Sequence, residues 1–377
     1  MKTLPQFFLL LALALTGCAP APQLGSRLVA PTENQSGFAR AEAMQPLEFP
    51  RDFGPHPDYQ TEWWYYTGNL DTADGRHFGY QFTVFRRALL PPAERTERAS
   101  GWAADQIYFA HFALSDIGAG EFTAAERFGR GAAGLAGAQA EPYAVWLEDW
   151  RVEETAPGVV RLTAVHESIA LDLTLTDLKG PILQGDRGYS RKGAEPGNAS
   201  YYYSQTRLES AGTVTVNGEA FPVSGLSWKD HEYSTSALSE GQVGWDWFAL
   251  QLDDGTDLML YTMRRADGTV DGFSHGTLIL ADGTTRPLAW GEYSITPTGE
   301  WTSPHSGAVY PSGWQIEIPE YGVSLTLMPW QNDQELRLSF VYWEGAVRIE
   351  GTHAGAAVTG NGYVELTGYF ASMEGEF

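Results

Sequence analysis

The feature that most constrains this chain is its punctuation: an aspartate or asparagine followed by glycine, set between runs in which bulky apolar and polar residues alternate. Asp74-Gly75, Asn217-Gly218, Asp254-Gly255, Asp267-Gly268 and Asp282-Gly283 all read this way. Asx-Gly pairs tolerate the positive φ that tight hairpin turns need, and a period of two belongs to a strand rather than to a helix. With 42 glycines and 13% aromatic residues among 377, the chain is read as all-β with little helix. Strands are expected at Ala144–Val152, Val159–His166 and Ile169–Thr176, and the Ala- and Gly-rich stretch Glu126–Gly137 is the one place where a short helix or a lid is expected.

The first residues are set apart from this pattern. Lys2 precedes an apolar run from Phe7 to Leu15 that is too short to span a bilayer, the layout of a secretory signal. Leu15-Thr16-Gly17-Cys18 resembles the bacterial lipobox, and Cys18 is the single cysteine of the chain. Residues 1–17 are therefore expected to be removed and Cys18 to be lipidated. Residues 18–45, rich in Pro, Ala, Gln and Ser, are read as a flexible tether. Ala19, where aspartate would mark retention at the inner membrane, favours the outer membrane facing the periplasm. The formal charge of −23 leaves the acyl chains as the membrane anchor and excludes a nucleic-acid partner by repulsion.

The body reads as two copies of one unit. Trp63-Trp64, an Asp-Gly turn, an apolar strand and Arg86-Arg87 are echoed by Trp245-Asp246-Trp247, Asp254-Gly255, an apolar strand and Arg264-Arg265. Two domains follow, 46–218 and 219–377. The arginine pairs are expected either at solvated strand ends or against acids of the other domain.

The span from Gly225 to Gly255, GLSWKDHEYSTSALSEGQVGWDWFALQLDDG, is the densest in acids, bases and rings. On an extended strand Trp228, Asp230 and Glu232 share one face, and Lys229, His231 and Tyr233 the other. Trp245 and Trp247 likewise share a face opposite Asp246. A carboxyl beside indole rings is pushed toward its neutral form and becomes a general acid near neutral pH. The candidate catalytic residues are thus Asp230, His231, Glu232 and Asp246, with Trp63, Trp64, Trp228, Tyr233, Trp245, Trp247 and Tyr261 as the candidate ligand-binding set. The competing reading makes the rings core anchors and the polar groups structural or solvated. No Gly-rich phosphate loop, GxSxG or HExxH occurs, and adjacent strand residues cannot jointly chelate, so neither cofactor nor metal is expected.

DFGPHPDYQTEWWYYTGNL from Asp52, ASYYYSQTRLESAGTV from Ala199, GLSWKDHEYS and GWDWFALQLDDG together resemble the AttH-like family, also described as carotenoid 1,2-hydratase-like or predicted secreted hydrolases. The resemblance covers most of the chain after about residue 47. It implies two consecutive lipocalin-like β-barrels and a hydrophobic ligand such as a lipid or isoprenoid. It also implies either a binding role beside an ABC transporter or water addition to an isolated double bond, as hydro-lyase or hydrolase. Tyr233 stands where many relatives carry tryptophan. In the hydratase reading Asp246 or Asp230 is the acid, and His231, oriented by Glu232, handles the water.

Overall fold

The computed structural model describes residues 36–235 and 238–374. The signal segment, Cys18 and the first part of the tether lie outside the described residues. Helix among them is confined to the 3-10 turns Arg51–Phe53, Pro92–Glu94 and Pro319–Tyr321.

Thirteen strands build a first sheet: β1 (Thr61–Asp71), β2 (His77–Ala88), β3 (Gln106–Asp116), β4 (Glu121–Arg130), β5 (Ala136–Gln139), β6 (Ala144–Leu147), β7 (Trp150–Ala156), β8 (Val159–His166), β9 (Ile169–Asp177), β10 (Ile182–Leu183), β11 (Tyr189–Arg191), β12 (Ala199–Val216) and β13 (Glu219–Ser234). A second sheet takes ten of the rest: β14 (Gln242–Leu252), β15 (Asp257–Arg265), β16 (His275–Ile279), β17 (Thr285–Ala289), β18 (Ser294–Pro297), β21 (Trp314–Ile318), β22 (Val323–Pro329), β23 (Glu335–Arg337), β24 (Val341–His353) and β25 (Ala356–Leu366). The remaining two, β19 (Glu300–Thr302) and β20 (Val309–Pro311), pair with each other.

Both sheets follow one plan. The first strand pairs antiparallel with the last, β1 with β13 and β14 with β25, and the edges are strands consecutive in the chain, β4 and β5 or β17 and β18. In the first sheet the edges abut, since a Cβ added at Gly129 of β4 would lie 3.5 Å from that of Ala136 on β5. The sheet is a nearly closed barrel, and closure hides the backbone edges that an open sheet exposes. The expected all-β, lipocalin-like architecture is what the chain adopts.

Alternation sorts the side chains. Trp64, Tyr66 and Leu70 of β1 point into the first barrel, and Phe248, Leu250 and Leu252 of β14 into the second. The intervening residues, Tyr65, Trp228, Trp247, Ala249 and Tyr261 among them, form a third apolar layer between the barrels. This is why β1 and β2 are buried along nearly their whole length, which a one-sided strand is not. The barrels touch backbone to side chain: a Cβ on Gly79 would come within 2.6 Å of Ala346, so glycine sets that approach. Away from the site, Asp257 of the second sheet is buried between Lys179 (2.7 Å), in the loop after β9, and Arg207 (2.6 Å) of β12.

Several expectations need correction. The Asn217-Gly218 turn, with φ of 53° and 83°, joins β12 to β13 inside the first sheet. A boundary at 218/219 would split that hairpin; the chain changes sheet only between Ser234 and Gln242. The tether does not run free to 45, because Phe38 and Ala41 are buried, Thr235 donates to the Ala39 carbonyl at 2.5 Å, and Tyr201 donates to that of Ala43 at 2.8 Å. Glu126–Gly137 is strand and turn, with Gly129 and Ala136 at the approach of β4 to β5. Arg86 and Arg264 pair inside their own sheets, with Glu62 and Asp246.

Candidate active site between the barrels

Strand β13 carries two chemically distinct faces. The register of β1 on β13 sets Trp63 opposite Glu232 and Tyr65 opposite Asp230, on the side turned to the second barrel. From that barrel, β14 presents Trp245 and Trp247, β15 Tyr261 and Met263, β24 Tyr342 and Glu344, and β25 Glu365. These residues enclose a cavity of about 150 Å³, whose walls also include Lys192, Tyr202 and His111.

Asp230 accepts from the Trp228 indole at 2.7 Å and from the Tyr202 and Ser204 hydroxyls at 2.5 Å each. Burial nevertheless outweighs these donors and pushes its carboxyl up to about 7. The Tyr202 hydroxyl in turn receives the Trp247 indole N–H at 3.1 Å. Two residues along, Glu232 accepts from Ser200 and faces the Lys192 ammonium at 2.9 Å. That ammonium lies 4.6 Å from the Tyr261 ring centroid and 5.3 Å from that of Tyr202. Against the cost of burial, Glu232 holds the Lys192 pKa above its ordinary value.

Across the cavity Glu344 and Glu365 are register partners on β24 and β25. Glu365 accepts from the Trp245 indole at 2.7 Å; burial first, then the charges of Asp230 and Glu232, push it up to about 7. Glu344, fully buried, takes the Tyr65 hydroxyl on Oε1, and burial followed by the charge of Glu365 raises it well above the carboxylate range. His111 joins the wall through Tyr342 at 2.8 Å and reaches Glu126 at 3.0 Å on its other nitrogen.

The other face of β13 looks into the first barrel. His231 bonds Glu62 at 2.8 Å and the Tyr203 hydroxyl at 3.0 Å, and stacks on Trp64. Glu62 also takes Arg86 at 2.7 Å and the His56 ring at 2.7 Å. Burial lowers His231 to about 4. Glu62, despite burial, is held well below the usual range by the Arg86 charge and by the two imidazoles. Tyr233 stacks on His56 with centroids 3.5 Å apart. His56, Glu62 and His231 are the one trio of metal-ligating type among the described residues. The Arg86 guanidinium fills the position beside Glu62, so this donor set reads as a buried ion network.

The structure therefore divides the predicted set. Asp230, Glu232, Trp63, Trp245, Trp247 and Tyr261 meet at the cavity, and Trp228 supports it through Asp230. His231, Tyr233 and Trp64 belong to the barrel side. Asp246 faces away, bonded to Arg264 at 2.8 Å and to Tyr369 at 3.1 Å. Reading the sequence missed Glu344 and Glu365. Each stands in a strand, β24 or β25, but no local signal in the sequence tells a carboxylate facing a second barrel from one facing solvent.

The AttH-like family model matches residues 40–369. A crystal structure assigned as AttH from Nitrosomonas europaea is 38% identical, with a TM-score of 0.78 over 88% of this chain and 100% of that one. Kievitone hydratase from Nectria haematococca shares the fold at 16% identity, with a TM-score of 0.64 over 90% of this chain and 98% of its own. CghA with Sch210972 does so at 12%, with a TM-score of 0.54 over 91% and 97%. No curated protein matches.

Proposed function

The chain belongs to the AttH-like family, and from that premise we propose that the cavity between the barrels performs acid–base chemistry, the addition or removal of water, on an apolar unsaturated molecule. The observation that carries this is the pairing of unlike carboxyls on one strand face. Asp230 is held near neutrality by burial, while Glu232, about 7 Å along the strand, sits against the Lys192 ammonium. A cavity that only carried an apolar ligand would gain nothing from burying these groups, each of which costs stability to desolvate. Paired carboxyls in unlike surroundings are the arrangement that separates an acid from a base.

In this reading protonated Asp230 gives its proton to one alkene carbon. The π pair forms the new C–H bond and leaves a carbocation on the neighbouring carbon. The Tyr202 and Ser204 hydroxyls can rotate, so Asp230 is accommodated in both protonation states. The ring faces of Trp245 and Trp247 stabilise the cation without trapping it. Water adds to the cation and its proton passes to Glu232; transfer back to Asp230 resets the site. A fold-level likeness to a kievitone hydratase is consistent with such chemistry. The N-terminal reading joins the proposal: Cys18 as a lipid anchor would hold the protein in the cell envelope, next to a membrane that supplies apolar substrates. Fractionation of a Cys18→Ala variant tests that part, and undiminished membrane association would reject it.

A second reading, apolar ligand carriage in support of an ABC exporter, draws on the aromatic walls. One experiment separates the two. Incubation with isoprenoid alkenes in H₂¹⁸O, followed by mass spectrometry, should show the label in a hydrated product. Asp230→Asn should lower turnover about 100-fold or more while ligand quenching of tryptophan fluorescence stays within a few-fold. Binding without turnover of any alkene in the wild type would leave the carrier reading standing and remove the enzyme.

A further inference from the structure

The acid–base reading uses Asp230, Glu232 and Lys192 and leaves Glu344 and Glu365 without a task. Their arrangement is specific. The two are directly opposed on neighbouring antiparallel strands, which places their Cβ atoms about 5 Å apart on one face. Each is oriented by one donor on one oxygen: the Tyr65 hydroxyl on Glu344 Oε1 and the Trp245 indole on Glu365 Oε2. The other oxygen of each takes no hydrogen bond among the described residues. For Glu344 that oxygen, Oε2, is fully buried, and both residues line the cavity. A buried oxygen without a partner is costly, so this place favours a ligand that brings a donor.

The cavity shows what completes such a place. At its other end a carboxylate, Glu232, and the rings of Tyr202 and Tyr261 surround the Lys192 ammonium. At Glu344 and Glu365 the same kinds of group recur: Tyr65 and Trp245 bond the pair, and Trp63 and Tyr342 line the same cavity, but no cation is paired with them among the described residues. We propose that the Glu344–Glu365 pair, with the rings around it, is a receptor for the ammonium group of an apolar amine, the charged end of the molecule whose hydrocarbon part lies against the tryptophans.

An ammonium offers up to three N–H donors on a compact cation, enough to bridge the free oxygens of both carboxyls at once. Ring faces suit it because their negative quadrupole attracts a cation stripped of water. The exchange is also neutral overall, because a carboxyl pair that holds a proton when empty can give it up as the ammonium arrives, leaving the buried charge unchanged. This inference rests on the cavity reading above and names the substrate class of that site.

The test uses three probes with one carbon skeleton, geranylamine, geraniol and geranic acid, titrated into the full-length protein at pH 8 by calorimetry. The amine should bind about 10-fold or more tightly than the alcohol, and the acid most weakly. Glu344→Gln and Glu365→Gln should each erase most of the amine's advantage while leaving geraniol within about twofold, with far-UV circular dichroism confirming the fold. Equal affinity for amine and alcohol in the wild type overturns the proposal without reference to any variant, as does an amine preference that survives both substitutions. Failure here leaves hydration measurable on uncharged alkenes. Conversely, amine selectivity without turnover would remove the acid–base reading and keep the receptor.

Discussion

The two faces of β13 carry similar residues and arrive at opposite states. On the barrel side His231 has both ring nitrogens engaged, and Glu62 collects Arg86, His56 and His231; only Nη1 of Arg86 goes without a partner. On the cavity side burial pushes the Asp230 and Glu365 carboxyls up to about 7, and Glu344 keeps an oxygen with nothing to bond. A network that closes on itself fixes geometry. A set left open, at an energetic cost, has a use for what would close it. The presence of imidazoles and carboxylates does not separate the two cases; the completeness of their bonding does.

The comparison breaks most severely at Glu62. Glu62→Gln leaves the buried Arg86 guanidinium without its carboxylate and should cost about 3–5 kcal/mol, read from denaturant midpoints. A loss below about 1 kcal/mol would mean that the barrel-side network is not the strut described. Equal truncation on the cavity side should not behave this way.

The faces should also answer pH with opposite signs. Asp230 has a folded pKa of about 7, above its unfolded value, so the folded state keeps a proton that the unfolded chain gives up. Its contribution makes the protein less stable as pH rises from about 4 to about 7 and is level above that. His231, lowered to about 4, favours the neutral ring, so its contribution is intact above about 6.5 and is lost as pH falls from there toward 4. Stability measured from pH 4 to 8 should therefore show the difference between Asp230→Asn and wild type growing by about 1–3 kcal/mol toward pH 7. His231→Gln should flatten the acid limb instead. The same slope in both variants would erase the distinction between the faces.

The smallest effect sharpens the boundary of the site. Asp246→Asn weakens the bonds to Arg264 and Tyr369 and should cost about 1–2 kcal/mol of stability. Because Asp246 faces away from the cavity, turnover and ligand quenching should stay within about twofold of wild type. A 100-fold loss of turnover would return it to the role its sequence position suggested.

What the amino-acid sequence determined by itself was everything governed by neighbours along the chain. Asx-Gly turns placed the hairpins, period two assigned Asp230 and Glu232 to one face and His231 and Tyr233 to the other, and the duplicated aromatic hairpins announced two domains of similar plan. Side-chain direction on a strand depends on the backbone alone, which is why those assignments survive in the structure. Which face would look onto a cavity and which into a barrel core depends on closure. Closure brings β1 onto β13 and β14 onto β25 across more than a hundred residues, and packs the outer face of one barrel on that of the other. Glu344 and Glu365 become a pair only through the β24–β25 register. Asp246 leaves the site because Arg264 and Tyr369 wait on its side of the strand, and His231 becomes structural because Glu62, 169 residues away, is delivered to it. Burial, which decides whether a carboxylate is a solvated charge or an acid poised near neutrality, is a property of that packing.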